Sequence, residues 1–426
     1  VDVLVQQAGA NKAAGTQFRE ALMHDLHLWA EAGNFGSLLR PKLTVEQIAA
    51  LGAHAAVAAA GPQADLVVEE LRGRLLRALA QAEALARAYH VVVANPPYMG
   101  SGNMNAALSR FAQDNYPDSK ADLFAMFIER NLDLVVSNGM VAMVTMQSWM
   151  FLSSYEKLRA SLLDRRTIIS MAHLGARAFD TIGGEVVSTT AFVVERAKRP
   201  TYRGSFLRLV NGNSEAKKEA QLRANLPSAD RPLPDDYFLA SSIDFRQIPG
   251  TPIAYWVSDK IRSLFLNKRF DEIAIPKFGM SVGDGERFIR LWCEVNDSTV
   301  GAGFDNEDTF SLEGFKWAPL DKGGPYRKWY GNKSHVVLWK NKGEEIRNFP
   351  RSAVRSPYLF FRPRFSWTLV SSDAFSARYF EEGYIIDTAS NCIYFHDNKP
   401  NWSLLAFFNS KLAQQLLGIL NPTINF

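Results

Sequence analysis

The chain has 426 residues, of which 47% are hydrophobic and 22% charged, with a net charge of +4. That length exceeds what one ordinary core serves, and the composition excludes a disordered or fibrous chain. The small net charge leaves any nucleic-acid surface to local clusters of Lys and Arg, while two distant cysteines, Cys293 and Cys392, exclude a disulfide framework and a zinc cluster.

The residues from Val1 onward lack the charged-then-apolar layout of a signal peptide. No apolar run reaches the roughly 18–20 residues a membrane helix needs. A soluble, cytoplasmic protein without a membrane partner is expected. Val1 in place of Met, and an end at Asn425-Phe426 directly after a helical pattern, read as an internal fragment.

Within the first 88 residues a helical segment is expected. From Gln63 to Ala88 the residues Leu66, Val67, Leu71, Leu75, Leu79, Ala82 and Leu85 recur at spacings of three and four, which predicts an amphipathic helix. His90 to Ala94 is a short β-branched run stopped by Asn95-Pro96-Pro97, a buried strand ending at a stiff turn. Helices are then expected over Asp122 to Leu134 and Tyr155 to Asp164, and strands over Gly139 to Met146, Ile168 to Leu174 and Thr189 to Val194. Alternation of this kind predicts an α/β sheet with helices on both faces, whose ligands sit beyond the strand C-termini. Residues 201–250 are charged and proline-rich, and a surface linker is expected there. Residues 251–426 mix aromatics with Arg and Lys in short runs and read as a second, α+β domain.

Asn95-Pro96-Pro97-Tyr98, at the end of the first strand, carries the chemistry. The lone pair of an exocyclic amine on adenine is delocalised into the ring, so an enzyme must aim acceptors at its hydrogens and hold it in place. The Asn95 side-chain oxygen and the Pro96 carbonyl suit that task. Pro96 and Pro97 fix φ and remove two N–H groups, so the loop is stiff and presents carbonyls. Tyr98 offers a flat face to a base taken out of a duplex. Against this stands an ordinary turn, which needs the same residues for no chemical reason.

These residues resemble the N-P-P-Y amino-methyltransferases, and among them the adenine-specific DNA methyltransferases of BREX phage-defence systems, over almost the whole chain from about Ala88. The resemblance implies the back half of a Rossmann-like methyltransferase sheet over 89–200, followed by a mixed α+β target-recognition domain. It implies S-adenosyl-L-methionine as methyl donor, N6 of adenine in double-stranded DNA as acceptor, and other BREX proteins as partners. Lys120 to Glu129 is similar to the family's next motif, so Phe124 and Phe127 are candidates to lie along the cofactor. Gly139 to Trp149 is similar to the strand and loop that follow it. Gly183 to Phe192 is similar to a later motif flanking the target-base pocket.

One expected part is missing. A cofactor site of this fold needs a glycine-rich turn between a strand and its helix, yet Gly9, Gly15, Gly33, Gly36, Gly52 and Gly61 are scattered singly before Asn95. The chain alone is therefore expected to be inactive. In the second half, Arg287, Arg290, Arg327, Lys328, Trp329 and Arg364 stand among interleaved basic and aromatic residues and are the candidates for DNA contact. Leu420 to Phe426 resembles a family stretch that continues, so this domain is also expected to be clipped. No metal is implied, and His90 and His173 are expected to be buried and structural. Two rivals remain: a protein glutamine methyltransferase, whose substrate presents a similar NH₂, and a DNA-binding specificity module without catalysis.

Overall fold

The computed structural model describes residues 12–57, 66–180, 187–228, 230, 232–267, 272–370 and 374–420. The chain divides into two compact units, 1–246 with 250–256, and 247–249 with 257–426.

The first unit opens with helices α1 (Lys12–Ala30), α2 (Val45–Val57) and α3 (Leu66–Ala86). Strand β1 (Tyr89–Ala94) follows, then α4 (Ala106–Asn115), α5 (Leu123–Leu134), β2 (Val135–Met146), α6 (Glu156–Arg165), β3 (Thr167–Gly175) and β4 (Thr189–Glu195). The helical beginning is no separate body. Phe35, Leu38 and Leu39 pack into one cluster with Phe111, Tyr116 and Met126 from α4 and α5. The Phe35 and Phe111 rings stack at 4.2 Å, and the buried Tyr116 hydroxyl donates to the Leu38 carbonyl at 2.6 Å.

A six-stranded sheet organises this unit in the order β1-β2-β4-β3-β5-β6, its last strands being β5 (Gly204–Arg208) and β6 (Tyr237–Ala240). Strands β1, β2, β3 and β5 run one way, and β4 and β6 the other. The linker expected over 201–250 is thereby corrected. Its polar texture belongs to a helix at Glu215–Ala224 and to loops, while Phe206 is fully buried and stacks on Tyr255 at 4.8 Å. The C-terminal ends of β1, β2 and β3 share one edge with the start of β4. There Gln147 N–H donates to the Ser188 carbonyl at 2.8 Å, closing the end of β2 onto the approach to β4.

β1 lies at the border of the sheet among the described residues, paired only with β2. Val92 and Ala94 pack against the main core, whereas Val91 and Val93 are 58% and 76% exposed.

The second unit holds two four-stranded sheets. One has the order β13-β9-β10-β8, with β8 at Ile289–Leu291, β9 at Trp317–Asp321, β10 at His335–Leu338 and β13 at Ile385–Ile386. The other is β12-β11-β14-β7, with β7 at Ala274–Phe278, β11 at Arg364–Thr368, β12 at Ala377–Phe380 and β14 at Ser390–Phe395. Helices α7 (Trp402–Phe408) and α8 (Lys411–Leu420) follow β14. The two sheets approach at Gly279, where a Cβ would stand 2.1 Å from the Asp387 carbonyl oxygen, so only glycine fits. No helix among the described residues is long and apolar enough to cross a membrane.

Candidate active site

Asn95 begins the loop that leaves the C-terminal end of β1, one residue beyond the last β1–β2 pair, Ala94 with Met143. Asn95 and Pro97 are exposed and Pro96 is buried, so the loop alternates between anchoring inward and presenting outward. Tyr98 is half-buried. Its ring meets Phe124 edge-to-face at 6.0 Å, and Phe124 in turn meets Tyr155 at 5.8 Å. Burial, and then the charge of Asp122, pushes the Tyr98 hydroxyl pKa up, so it stays a neutral phenol. The geometry brings Asn95, Pro96 and Tyr98 to one short, stiffened loop at the ligand-accepting end of the sheet.

Phe124 and Phe127 take different places from an open cofactor face. Phe124 is completely buried and supports Tyr98 from behind, and Phe127 is partly buried between two core clusters. Both lie on α5, whose apolar face is wide enough to bury them. Phe192 is also buried and meets Trp149 at 5.1 Å. Gly183 and Gly184 of the later motif lie outside the described residues.

Behind the loop after β2 a buried polar chain runs through His173. Its Nε2 lies 2.6 Å from Gln147 Oε1 and its Nδ1 3.0 Å from the Tyr255 hydroxyl. An amide oxygen only accepts, so with Gln147 in this orientation Nε2 carries the proton, and Nδ1 accepts from Tyr255. Burial, then the positive charges of Arg208 and Lys218, holds the imidazole pKa down to about 3. His90 differs from expectation: it is exposed on β1.

Arg159 gives the same loop a second fixing point. Its guanidinium donates to the carbonyls of Trp149 at 2.9 Å, Leu152 at 2.6 Å and Gly250 at 2.7 Å. Burial lowers its pKa to about 10, which leaves it charged at neutral pH. Sequence spacing gave no sign of this, because an arginine on a helix normally reads as a solvated face.

Before β1 the described residues are helical, so they build no strand, glycine turn and helix of the kind that cradles a nucleotide-like cofactor.

In the second unit the six candidates separate. Arg364 is fully buried, 3.5 Å from Asp321 and donating to the carbonyls of Tyr384 at 2.9 Å and Ile385 at 3.1 Å. It is therefore no DNA contact, because both faces of β11 are covered. Lys328 spends its ammonium on the Asn409 carbonyl at 2.7 Å. Arg287 is exposed but lies over Phe288 and Phe349 and beside Glu345 at 3.4 Å. Arg290 donates to the Ile289 carbonyl at 2.7 Å and lines a cleft of about 580 Å³, where Lys322 and Arg351 are balanced by Asp284, Glu286 and Glu294. Arg327 and Trp329 stand exposed in the loop joining β9 to β10, in company with Tyr326 and Tyr330, which were not singled out in the sequence. Trp329 holds φ at 71°, a left-handed conformation braced by its backbone bonds to Ala377 and Tyr379.

Residues 69–179, which include Asn95 to Tyr98, match the Eco57I restriction-modification methylase family. The chain is 38% identical to the adenine-specific methyltransferase BrxX of Escherichia coli O9:H4 (strain HS), over 95% of this chain and 32% of that protein. It is 40% identical to the adenine-specific methyltransferase PglX of Lacticaseibacillus casei (strain Zhang), over 81% of this chain and 29% of that protein. The chain thus spans about a third of the length of these relatives. Among solved structures, the Type IIL restriction-modification enzyme MmeI in complex with DNA is 14% identical over 74% of this chain and 41% of its own, with a TM-score of 0.46.

Proposed function

We propose, from the premise that this chain is a relative of the adenine-specific methyltransferases BrxX and PglX, that it supplies the target-amine site of a DNA adenine N6-methyltransferase. The observation that carries this reading is the Asn95 to Tyr98 loop at the C-terminal end of a sheet strand, with Tyr98 braced by Phe124. When bound, S-adenosylmethionine would supply the electrophilic methyl.

The chain's own residues do the rest. Asn95 Oδ1 and the Pro96 carbonyl accept the two amine hydrogens, which turns the nitrogen lone pair out of the ring. The prolines hold both acceptors without rearrangement. The Tyr98 face takes the extruded base, and the loss of stacking in the duplex is offset by this new stack. Arg327, Trp329 and the tyrosines beside them form the exposed surface suited to holding double-stranded DNA. The role would lie in phage defence of the BREX kind, alongside the system's other proteins.

A second reading, a DNA-binding specificity module, is favoured by one observation: no cofactor cradle precedes β1 among the described residues. One experiment separates the two. The open reading frame that carries this chain is expressed with and without Asn95→Ala, and modified adenines are mapped in host DNA. N6-methyladenine at one short sequence, lost in the variant, supports the enzyme; an unmodified genome in both leaves the module.

A further inference from the structure

Pro96 and Pro97 have no N–H to give, so the loop that presents the amine acceptors cannot be pinned through its own central amides. The next anchored amide is that of Met99, and it donates to the Asp122 carboxylate at 2.9 Å. The same oxygen, Oδ1, accepts from Phe124 N–H at 3.3 Å and so caps the N-terminus of α5. Backbone bonds reinforce the junction, from Ser101 N–H to the Ala121 carbonyl at 2.9 Å and from Leu123 N–H to the Met99 carbonyl at 3.1 Å. Asp122 itself is buried.

We propose that Asp122 is a positioning residue for the methyl-transfer site, locking the Asn95 to Tyr98 loop to α5 through the Met99 amide. The inference rests on the reading above. Asp122 touches no substrate atom in this role. Its hold on Met99 passes back through two φ-fixed prolines to the Pro96 carbonyl and Asn95, while its cap on Phe124 sets the ring against which Tyr98 leans. One carboxylate therefore fixes the loop from the backbone side and the base-stacking ring from behind. The bland alternative is an N-cap that serves only the stability of α5.

Two substitutions separate these roles in the protein encoded by the whole open reading frame. Asp122→Ser keeps a capping oxygen for the helix but is too short to reach Met99. Asp122→Asn keeps an acceptor of the original length. The assay is steady-state methylation of a DNA duplex carrying the target site, with Asn95→Ala as the null. Asp122→Ser should lower kcat roughly 100-fold, the scale of a misplacement near 1 Å, with KM for DNA within about threefold. Asp122→Asn should recover kcat to within about tenfold of wild type. Amide exchange should show Met99 deprotected in Asp122→Ser while β2 stays protected. Wild-type methylation that is lost in Asn95→Ala but persists in Asp122→Ser overturns the positioning role alone, as does a loss in Asp122→Asn equal to that in Asp122→Ser. Absence of methylation by wild type overturns the reading beneath it.

Discussion

Acidification should unlock the first unit through one side chain, His173. In the folded state it is buried and neutral, with a pKa near 3; in the unfolded chain it takes its ordinary value of about 6.5. Below about pH 6.5 the unfolded chain therefore binds a proton that the folded chain refuses. Stability from this group is complete above that pH, and declines as pH falls toward 3. The slope is roughly 1.4 kcal/mol per pH unit, so at pH 4.5 the loss is about 3 kcal/mol. Carboxylates such as Asp122 and Glu129, whose pKa values burial raises, act in the opposite sense. The measurement is therefore a difference between wild type and His173→Gln, which keeps hydrogen-bonding groups and cannot titrate. Urea unfolding read by hydrogen exchange in peptides over Thr167 to Glu195 confines the signal to β3 and β4. The stability advantage of wild type over the variant should shrink by about 3 kcal/mol between pH 6.5 and 4.5. Parallel curves over that interval would refute the tautomer and burial argument together.

Arg364→Ala should destabilise the second unit by roughly 3–5 kcal/mol, because it removes a buried guanidinium and takes from the buried Asp321 its ion-pair partner, leaving it the Ser390 hydroxyl and the Gly323 amide; a drop under about 1 kcal/mol in urea unfolding would contradict this. Arg327→Ala should weaken duplex binding alike for all sequences and reduce the slope of log affinity against log salt by about 1, measured by fluorescence anisotropy across a salt series. An unchanged slope would remove the β9–β10 loop from the DNA surface. This chain by itself should bind S-adenosylmethionine no tighter than about 100 µM in calorimetry, and a dissociation constant of a few micromolar would mean that a cradle exists elsewhere in it.

Between 89 and 195 most elements were legible because they have a strong period and a clear stop, whereas α4 (Ala106–Asn115) was not foreseen. Asp122, for instance, stands immediately before an apolar helical run and caps it. The start of β2 was not legible. Ser137-Asn138-Gly139 looks like a turn, but Asn138 adopts φ 63° inside a continuing strand, and the register with β1 shifts there. The 201–250 segment misled because its prolines and charges lie between two short strands, the first carrying the fully buried Phe206, and texture averaged over fifty residues hides a strand of four or five.

The candidate site was legible in its residue types and not in its supports. Asn95 to Tyr98 announced themselves by residue type and position after a strand. The clamp from Asp122 to Met99, the Gln147–His173–Tyr255 chain and the triple grip of Arg159 join residues 7 to 91 positions apart in sequence, which no local pattern reports. Interleaved basic and aromatic residues marked the stretches proposed to meet DNA without telling their outside from their inside. Arg327 and Arg364 sit in similar sequence, yet one faces solvent and the other is sealed beneath two sheets' worth of side chains.

The border position of β1 among the described residues has a practical meaning for anyone handling this polypeptide. Val91 and Val93 lie on a strand whose second edge meets no strand among the described residues, and neither proline nor lysine stands within Tyr89–Ala94 to deter another strand. Concentrated samples should stick to one another by edge-to-edge pairing, with light scattering rising as concentration rises. A single lysine at position 93 would act as a gatekeeper and quiet that aggregation without touching the loop that follows.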